Sequence, residues 1–412
     1  MPRPGEDDYM LIKNGLVYTE KLHFIKADIL IKNGLISAVK ERQDEKPVKE
    51  SVKECGTEGS ERMGSGEFGE TEYKTDEEVI DAEGKWVLPG LTDLHFHGCV
   101  SYDTNDASDD ALRAMAVYQR NSGVTTICPT TMTLPKDEVA RIVKKAKDYS
   151  CRQKADEAII VGVNLEGPFI SKDKVGAQNP LYVTEPDIGF IETLLEETDN
   201  FPKIMTIAPE VGGAMEMIKE MHQRIRISVG HTMSDYETAK EAYKNGARHL
   251  THMFNAMPGI HHRMPGPIVA AQESGDVTCE IICDGVHVHP ASIRLAFEMI
   301  GADRMILISD SCRACGMPDG KYELGGQDIY KHDHAAFLKD GSLAASVSNV
   351  YECMVNAIDF GVPAESAIRA ATYNPARALG IQELYGSIKP GKAAKILIVD
   401  PKEHYRLDRV IS

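Results

Sequence analysis

Two histidines separated by one residue, His95 and His97 in "DLHFHG", close an apolar run. Along a strand, residues i and i+2 point the same way, so two imidazoles at this spacing can grip one cation. Polar residues end other apolar runs: Glu166 in "NLEGPF", His231 in "SVGHT" and Asp310 in "LISDS", while His252 lies within "HLTHMFNA". Taken singly, each has a plain explanation: a solvated rim carboxylate, a satisfied structural histidine, a helix-capping aspartate. Requiring all of these accidents at once is the weaker account. Together the residues read as the centre of a metal-dependent hydrolase. Mixed imidazole and carboxylate ligands suit zinc, with iron or manganese as alternatives, better than calcium or magnesium. The ligands suffice for one or two divalent ions, with Glu166 as a bridge. Such an ion activates water near neutral pH and polarises a carbonyl. Asp310 beside it suits the general base that takes a proton from water and returns it to a leaving amine.

Residues so far apart must be brought together by the fold. From Trp86 onward, short apolar runs alternate with amphipathic stretches of helical period. The runs are 86–97, 125–131, 158–169, 203–210, 226–232, 249–256, 279–287 and 305–311. Eight β-then-α units fit a closed (β/α)8 TIM-like barrel, with an open doubly wound sheet as the competing α/β arrangement. The barrel is preferred because polar residues gather at the C-terminal ends of many different runs, and only in a barrel do those ends converge on one mouth. Residues 10–40 read as short strands, with "KNG" at 13–15 and 32–34 as tight turns. Strand-like alternation returns in "GSIKPGKAAKILIVD" (386–400), which is expected to pair with 10–40. A small β-sandwich domain would then be built from both termini. The expected limits are 1–85 and 383–412 for that domain and 86–382 for the barrel. Within the first segment, 41–78 is rich in Glu, Lys, Gly and Ser and reads as a polar, mobile insertion.

Composition narrows the function classes. A hydrophobic share of 42% and a charged share of 26% are those of a globular chain, which excludes disordered and fibrous classes. No apolar run reaches about 18 residues, so no transmembrane helix is expected. "MPRPGEDDYM" lacks the apolar centre of a signal peptide, and the odd count of nine cysteines argues against a disulfide framework; a cytoplasmic location follows as the expectation. Cys312 and Cys315 form a lone C-x-x-C, a weak zinc or redox signal. A net charge of −17 without a basic stripe argues against nucleic acid, and means that any anion must be held by local donors. The segment "THMFNAMPGIHHRMPGP" (251–267) offers such donors. Arg263 could fork onto a phosphate, backbone N–H groups near Asn255 and Ala256 could add to it, and His287 in "CDGVHVHP" could join them. His289, beside Pro290, reads as an exposed loop residue.

The motifs "LEGPF", "GHT", "THMFNAMPG", "DGVHVHP", "PDGKYELGG" and "YGSIKPGKAAKILIVD" give the chain a specific resemblance, over nearly its whole length except 41–78. It resembles the N-acetylglucosamine-6-phosphate deacetylases of the amidohydrolase superfamily. The resemblance implies a (β/α)8 barrel with a small β domain, removal of acetate from the 2-acetamido group of a sugar phosphate, and a homodimer. By position it makes Glu166, His231 and His252 the principal metal ligands, His95 and His97 a pair for a second ion that only some members use, and Asp310 the acid/base. It implies substrate contacts from Asn255, Ala256, Arg263, His287 and the stretch Leu343, Ala344 and Ala345. It also draws in Ala177 and Gln178 of "GAQNP". Two departures stand out. Gln178 replaces a common His, so it can donate a hydrogen bond but carry no charge. Ala345 replaces a common Gly, and its methyl could narrow the pocket. Alternatives are action on the galactosamine epimer or another N-acyl hexosamine phosphate, and a catalytically dead scaffold that binds partners, which would be expected to have lost ligands. A cyclic-amide hydrolase would want a lysine at the mouth end of the fourth run, whereas Lys203 stands at its start.

Overall fold

The computed structural model of the chain describes residues 8–42 and 78–412. Of the polar stretch 41–78, residues 43–77 lie outside the described residues. Two compact units are formed: one from the end segments, up to Pro89 and from Ser387 to Ile411, the other from Gly90–Gly386.

The end segments build a seven-stranded sheet. Its order is Arg406–Ile411, Ile396–Asp400, Trp86–Pro89, Tyr9–Tyr18, Phe24–Lys32 and Leu35–Glu41, with Glu78–Asp81 also paired to Tyr9–Tyr18. Ile12, Val17, Ile29, Val87, Ile396 and Ile398 meet in its core. The two "KNG" segments differ. Asn33 and Gly34 both take positive φ and make the expected two-residue hairpin turn. Asn14 instead sits in a bulge inside Tyr9–Tyr18, its N–H bonded to the Asp28 carboxylate at 2.9 Å. The segment 386–400 does meet 10–40, through bridges from Thr19 to Ile388 and Leu35 to Ala393 and the Ile36 N–H on Lys392 O at 2.8 Å, but its strand Ile396–Asp400 pairs antiparallel with Trp86–Pro89. The single run read at 86–97 is thus two strands in two different sheets, divided at Gly90.

The second unit is a parallel barrel. Its strands are Leu91–Phe96, Val124–Thr131, Val163–Glu166, Pro202–Ile207, Arg226–Val229, His249–Leu250, Thr278–Ile282 and Met305–Ile308, hydrogen-bonded in sequence order from first to eighth. The seam between the eighth and first strands is closed by the Asp310 N–H on His95 O (2.9 Å) and the His97 N–H on Ser311 O (2.8 Å). Below them the buried Asp93 carboxyl accepts the Ser309 hydroxyl. A helix follows every strand. In Lys136–Ser150 the buried side chains Val139, Ile142, Val143 and Ala146 recur at helical spacing, giving the apolar stripe that packs the helix inward. Ser108, Asp187 and Asp235 cap their helices by accepting an N–H of the first turn, as the acidic and hydroxyl starts in the sequence suggest. Between the eighth strand and its helix Val350–Asp359 lies an antiparallel four-stranded sheet: Gly320–Leu324, Gln327–His332, Ala335–Leu338 and Leu343–Ser346. No strand was expected there.

Gly90 marks the point where the chain enters the barrel, and a Cβ there would overlap the Thr125 side chain, whose own Cβ is 2.8 Å away. Overpacking of this kind costs about 1–3 kcal/mol. Gly90→Ala should lower unfolding stability by that amount in denaturant titrations. An unchanged midpoint would show that the entry to the barrel can shift without cost.

Candidate metal centre

The mouth of the barrel gathers the polar ends of five strands on one carboxylate. Glu166, last residue of the third strand, is 2% exposed. Its Oε1 lies 3.0 Å from His252 Nε2, 3.1 Å from His231 Nε2 and 3.3 Å from His95 Nε2, and its Oε2 lies 3.1 Å from His97 Nε2. Asp310, just past the eighth strand, places Oδ1 3.3 Å from His97 Nε2 and 3.6 Å from His95 Nε2. The six side chains singled out in the sequence therefore converge. They form two overlapping groups, His95–His97–Glu166 and Glu166–His231–His252, that share Glu166.

These groups fit a divalent ion. His231 Nε2 and His252 Nε2 face each other at 3.1 Å, and His95 Nε2 is buried without a hydrogen-bond partner. Ligand atoms about 2.0–2.1 Å from a tetrahedral ion stand about 3.3 Å apart, close to the separations found. The rings are turned for this. His231 Nδ1 meets Lys174 O at 2.8 Å, and His95 Nδ1 meets Glu280 Oε2 at 2.9 Å. With Nδ1 donating, Nε2 of each ring keeps its lone pair for a cation.

The backbone here is strained. His231 (φ 45°), His252 (φ 26°) and Asp310 (φ 48°) all adopt left-handed conformations that L-residues rarely occupy. Neighbouring bonds hold them. The Glu210 carboxylate takes the Thr232 hydroxyl (2.5 Å) and the Met233 N–H (2.6 Å), and Glu280 Oε2 accepts the His252 N–H at 2.9 Å.

Electrostatics follow from burial and neighbours. Burial alone would raise the Glu166 carboxyl, but His95 and His231 hold it well below the usual carboxylate range. Burial likewise opposes ionisation of Asp310, and the imidazoles of His97 and His95 outweigh it, so the carboxylate is available as a base. Burial disfavours the charged form of His97, yet hydrogen bonds to Asp310 and Glu166 hold its pKa up to about 10. The thiols of Cys312 and Cys315 are buried and pushed up to about 12. They are thus poorly ionised, which argues against the C-x-x-C being a redox pair.

A cleft of about 130 Å³, open to solvent, lies over the carboxylate. It is lined by His97, Glu166, His231, His252 and Asp310, by Ala177, Gln178, Asn255, Ala256 and His287, and by Leu343 and Ala344. His95 sits behind it, fully buried. Two candidates fall elsewhere. Ala345 packs in the apolar cluster of the four-stranded sheet, so its methyl does not narrow the cleft. Arg263 is exposed on the rim, its guanidinium 2.7 Å from His262 Nε2, and does not line the cleft of its own chain. Gln178 has a forced orientation. Its Oε1 accepts the Thr133 N–H (2.6 Å), so its Nε2 donates to Glu166 Oε2 (2.5 Å). His287 is set by Asp284, whose carboxylate takes Nδ1–H at 2.6 Å and two backbone N–H groups, leaving Nε2 for a ligand. His289 caps the helix Pro290–Ile300, accepting the Ala291 N–H. The sequence reading missed Glu210, Asp284, His249 and Glu280. The one signal available for Glu280 was a charged residue inside an otherwise apolar strand.

Known proteins similar to this chain share one family. A model of the amidohydrolase family matches residues 86–410. The N-acetylglucosamine-6-phosphate deacetylase of Bacillus subtilis (strain 168) is 36% identical over 317 residues, 76% of this chain and 80% of the relative. The N-acetylgalactosamine-6-phosphate deacetylase of Escherichia coli O157:H7 is 32% identical over 328 residues, 79% of this chain and 86% of the relative. A variant of the N-acetyl-D-glucosamine-6-phosphate deacetylase from Mycobacterium smegmatis, solved with N-acetyl-D-glucosamine-6-phosphate, superposes with a TM-score of 0.82 at 29% identity, covering 99% of this chain and 98% of the other.

The raised His97 pKa has a consequence for metal binding. Between the ordinary value of 6.5 and about 10, the metal-free protein keeps on that ring a proton that a cation must displace. Binding should therefore release protons at pH 8, and affinity should rise with pH over that window. The same proton stabilises the metal-free fold fully below pH 6.5, and that contribution is lost as pH rises through about 10. Calorimetric titration with zinc in buffers of different ionisation enthalpy reads the release directly. Identical heats in all buffers would mean that the ring was already neutral.

Proposed function

This chain belongs to the amidohydrolase family and groups there with the N-acetylglucosamine-6-phosphate deacetylases, and on that footing we propose that it hydrolyses the acetamide of N-acetyl-D-glucosamine 6-phosphate to D-glucosamine 6-phosphate and acetate. The observation that carries the reading is the convergence of four imidazoles and Asp310 on the buried Glu166, at the floor of a cleft lined by polar groups from separate loops.

When bound, a divalent ion at Glu166, His231 and His252 supplies Lewis acidity toward the acetamide carbonyl and lowers the pKa of water. Asp310, held as a carboxylate, takes the proton from water as the new C–O bond forms. It then delivers that proton to the sugar nitrogen as the C–N bond breaks, so the products are acetate and the free amine. Gln178, whose amide is oriented by Thr133, steadies Glu166 and donates toward oxygen only. The Asn255 N–H is bonded to His252 O at 2.9 Å, whereas its side-chain Nδ2 makes only long contacts of 3.4 Å to His252 O and Met253 O. An anionic phosphate is therefore left with the Asn255 side chain, the Ala256 amide and His287 Nε2, and these support the phosphorylated sugar as substrate.

Finer parts of the proposal rest on other features. The imidazole-rich donor set favours zinc, with iron or manganese as alternatives, and His95 with His97 favours a second ion. Exposed Leu181, Ile260, Met264 and Val286, on loops that follow the third, sixth and seventh strands, support association with a second copy as a homodimer. The described cysteines are all free, and no described helix is long and apolar enough to cross a membrane; the free thiols favour a reducing, cytoplasmic compartment. The galacto epimer is the second reading, favoured by the Escherichia coli relative.

Acetate release from the gluco 6-phosphate, its galacto epimer and the unphosphorylated sugar, with metal analysis of the same sample, tests the whole reading. Phosphate contacts should raise kcat/KM about 10- to 100-fold over the unphosphorylated sugar. Asp310→Asn should lower kcat by about 100-fold or more while metal stays bound. Metal-loaded protein that releases no acetate from any N-acetyl hexosamine phosphate would sink the proposal, and would favour a binding scaffold.

A further inference from the structure

Glu280 is not among the proposed ligands, but it touches two of them. It lies within the seventh strand, wholly buried, and its carboxylate is the meeting point of three elements. Oε2 accepts from His95 Nδ1 at 2.9 Å and from the backbone N–H of His252 at 2.9 Å, and Oε1 pairs with His249 Nε2 at 2.8 Å. His249 is itself fixed at its other nitrogen by the Thr278 hydroxyl. A single side chain thus holds the ring of one candidate ligand and the strained backbone of another.

We infer that Glu280 is a positioning residue for the His95–His97–Glu166 ion. The inference rests on the proposed reading that this set takes a second cation. A carboxylate facing Nδ1 admits only the tautomer with the proton on Nδ1. Nε2, the buried atom without a partner, then presents its lone pair to the same space as His97 Nε2 and Glu166. The carboxylate also stops the ring from turning over, because the reversed ring would set a lone pair against Oε2. A hydrogen bond donated to an anion further raises the donor strength of the coordinating nitrogen. The other set gains nothing comparable through its rings: His231 is held by a backbone carbonyl, and His252 Nδ1 has no partner. Loss of the Glu280 charge should therefore be felt mainly by the ion at His95 and His97. Glutamine keeps the shape but carries no charge and has one accepting oxygen, so it cannot accept from both His95 Nδ1 and His249 Nε2.

Zinc titrated against a chromophoric chelator, with elemental analysis after dialysis, gives stoichiometry and affinity without reference to turnover. Wild type should hold two ions per subunit. Glu280→Gln should weaken the ion matched by the site lost in His95→Ala by about 10- to 100-fold, and weaken the other by less, through the His252 N–H that shares Oε2. Two ions of unchanged affinity in Glu280→Gln would overturn the inference. So would a wild type that holds one ion, and in that event acetate release by the same sample would show that the deacetylase reading stands by itself. Should the variant fail to unfold cooperatively, histidine-selective 15N spectra of zinc-loaded wild type, assigned with a His95 variant, decide the matter. They should show His95 protonated at Nδ1 and ligated through Nε2, and the reverse pattern refutes the role of Glu280.

Discussion

A carboxylate removed from water beneath four imidazoles is the constraint on which the mouth of this barrel depends. Stripping Glu166 of solvent costs several kcal/mol unless opposite charge or donors replace the water. Four ring nitrogens come within 3.0–3.3 Å of it, but two of them also face each other at 3.1 Å. Lone pairs so arranged repel one another and repel the carboxylate. Protons relieve part of that conflict in the metal-free protein, as the raised pKa of His97 records. A divalent cation relieves all of it at once. The cluster is stable as a set only with positive charge at its centre, and the surrounding structure serves to keep the rings from turning away.

That restraint is built in the turns after the strands. His231, His252 and Asp310 each take a left-handed backbone that would relax if released. Glu210 grips the turn after His231, Glu280 grips the turn at His252, and Asp310 donates its N–H across the barrel seam to His95 O. The same bond closes the barrel and places the acid/base candidate. Closure of the fold and assembly of the site are therefore one event. Damage to the seam should reach the chemistry without touching a ligand.

Much of this was legible in the sequence, for a physical reason. Parallel barrel strands are buried on both faces, so they read as apolar runs. A polar residue at the end of such a run has few structural uses, and His97, Glu166, His231 and Asp310 stood out on that ground. Glu280 did not, because it lies inside its run, nor did His249, which opens one, and a sequence does not say which polar residues away from the mouth find partners. The run 86–97 concealed a passage between two sheets, since Pro89 and Gly90 look like an ordinary break. The sheet Gly320–Ser346 was missed because its four short strands carry mixed polar residues with the weak alternation of a half-exposed hairpin. Arg263, a substrate contact by the resemblance, is exposed outside the cleft of its own chain, on a loop where His261 bridges Met264.

Gln178 shows how far a forced hydrogen bond can narrow a mechanism. A backbone N–H can only donate, so the bond from Thr133 fixes which end of the amide is oxygen and turns Nε2 to Glu166 Oε2. An imidazole in that place could exchange protons with a substrate near neutral pH, whereas an amide cannot. His97, the other titratable ring lining the same side of the cleft, points Nε2 into the ligand set and is withdrawn from proton traffic once a cation is held there. What remains at the floor of the cleft is one carboxylate with access to solvent and no permanent partner other than those rings: Asp310. On the proposed reading, the departure at Gln178 leaves both proton transfers, from the water and to the amine, to a single residue, and makes the acidity of that residue the quantity that the whole ring of imidazoles sets.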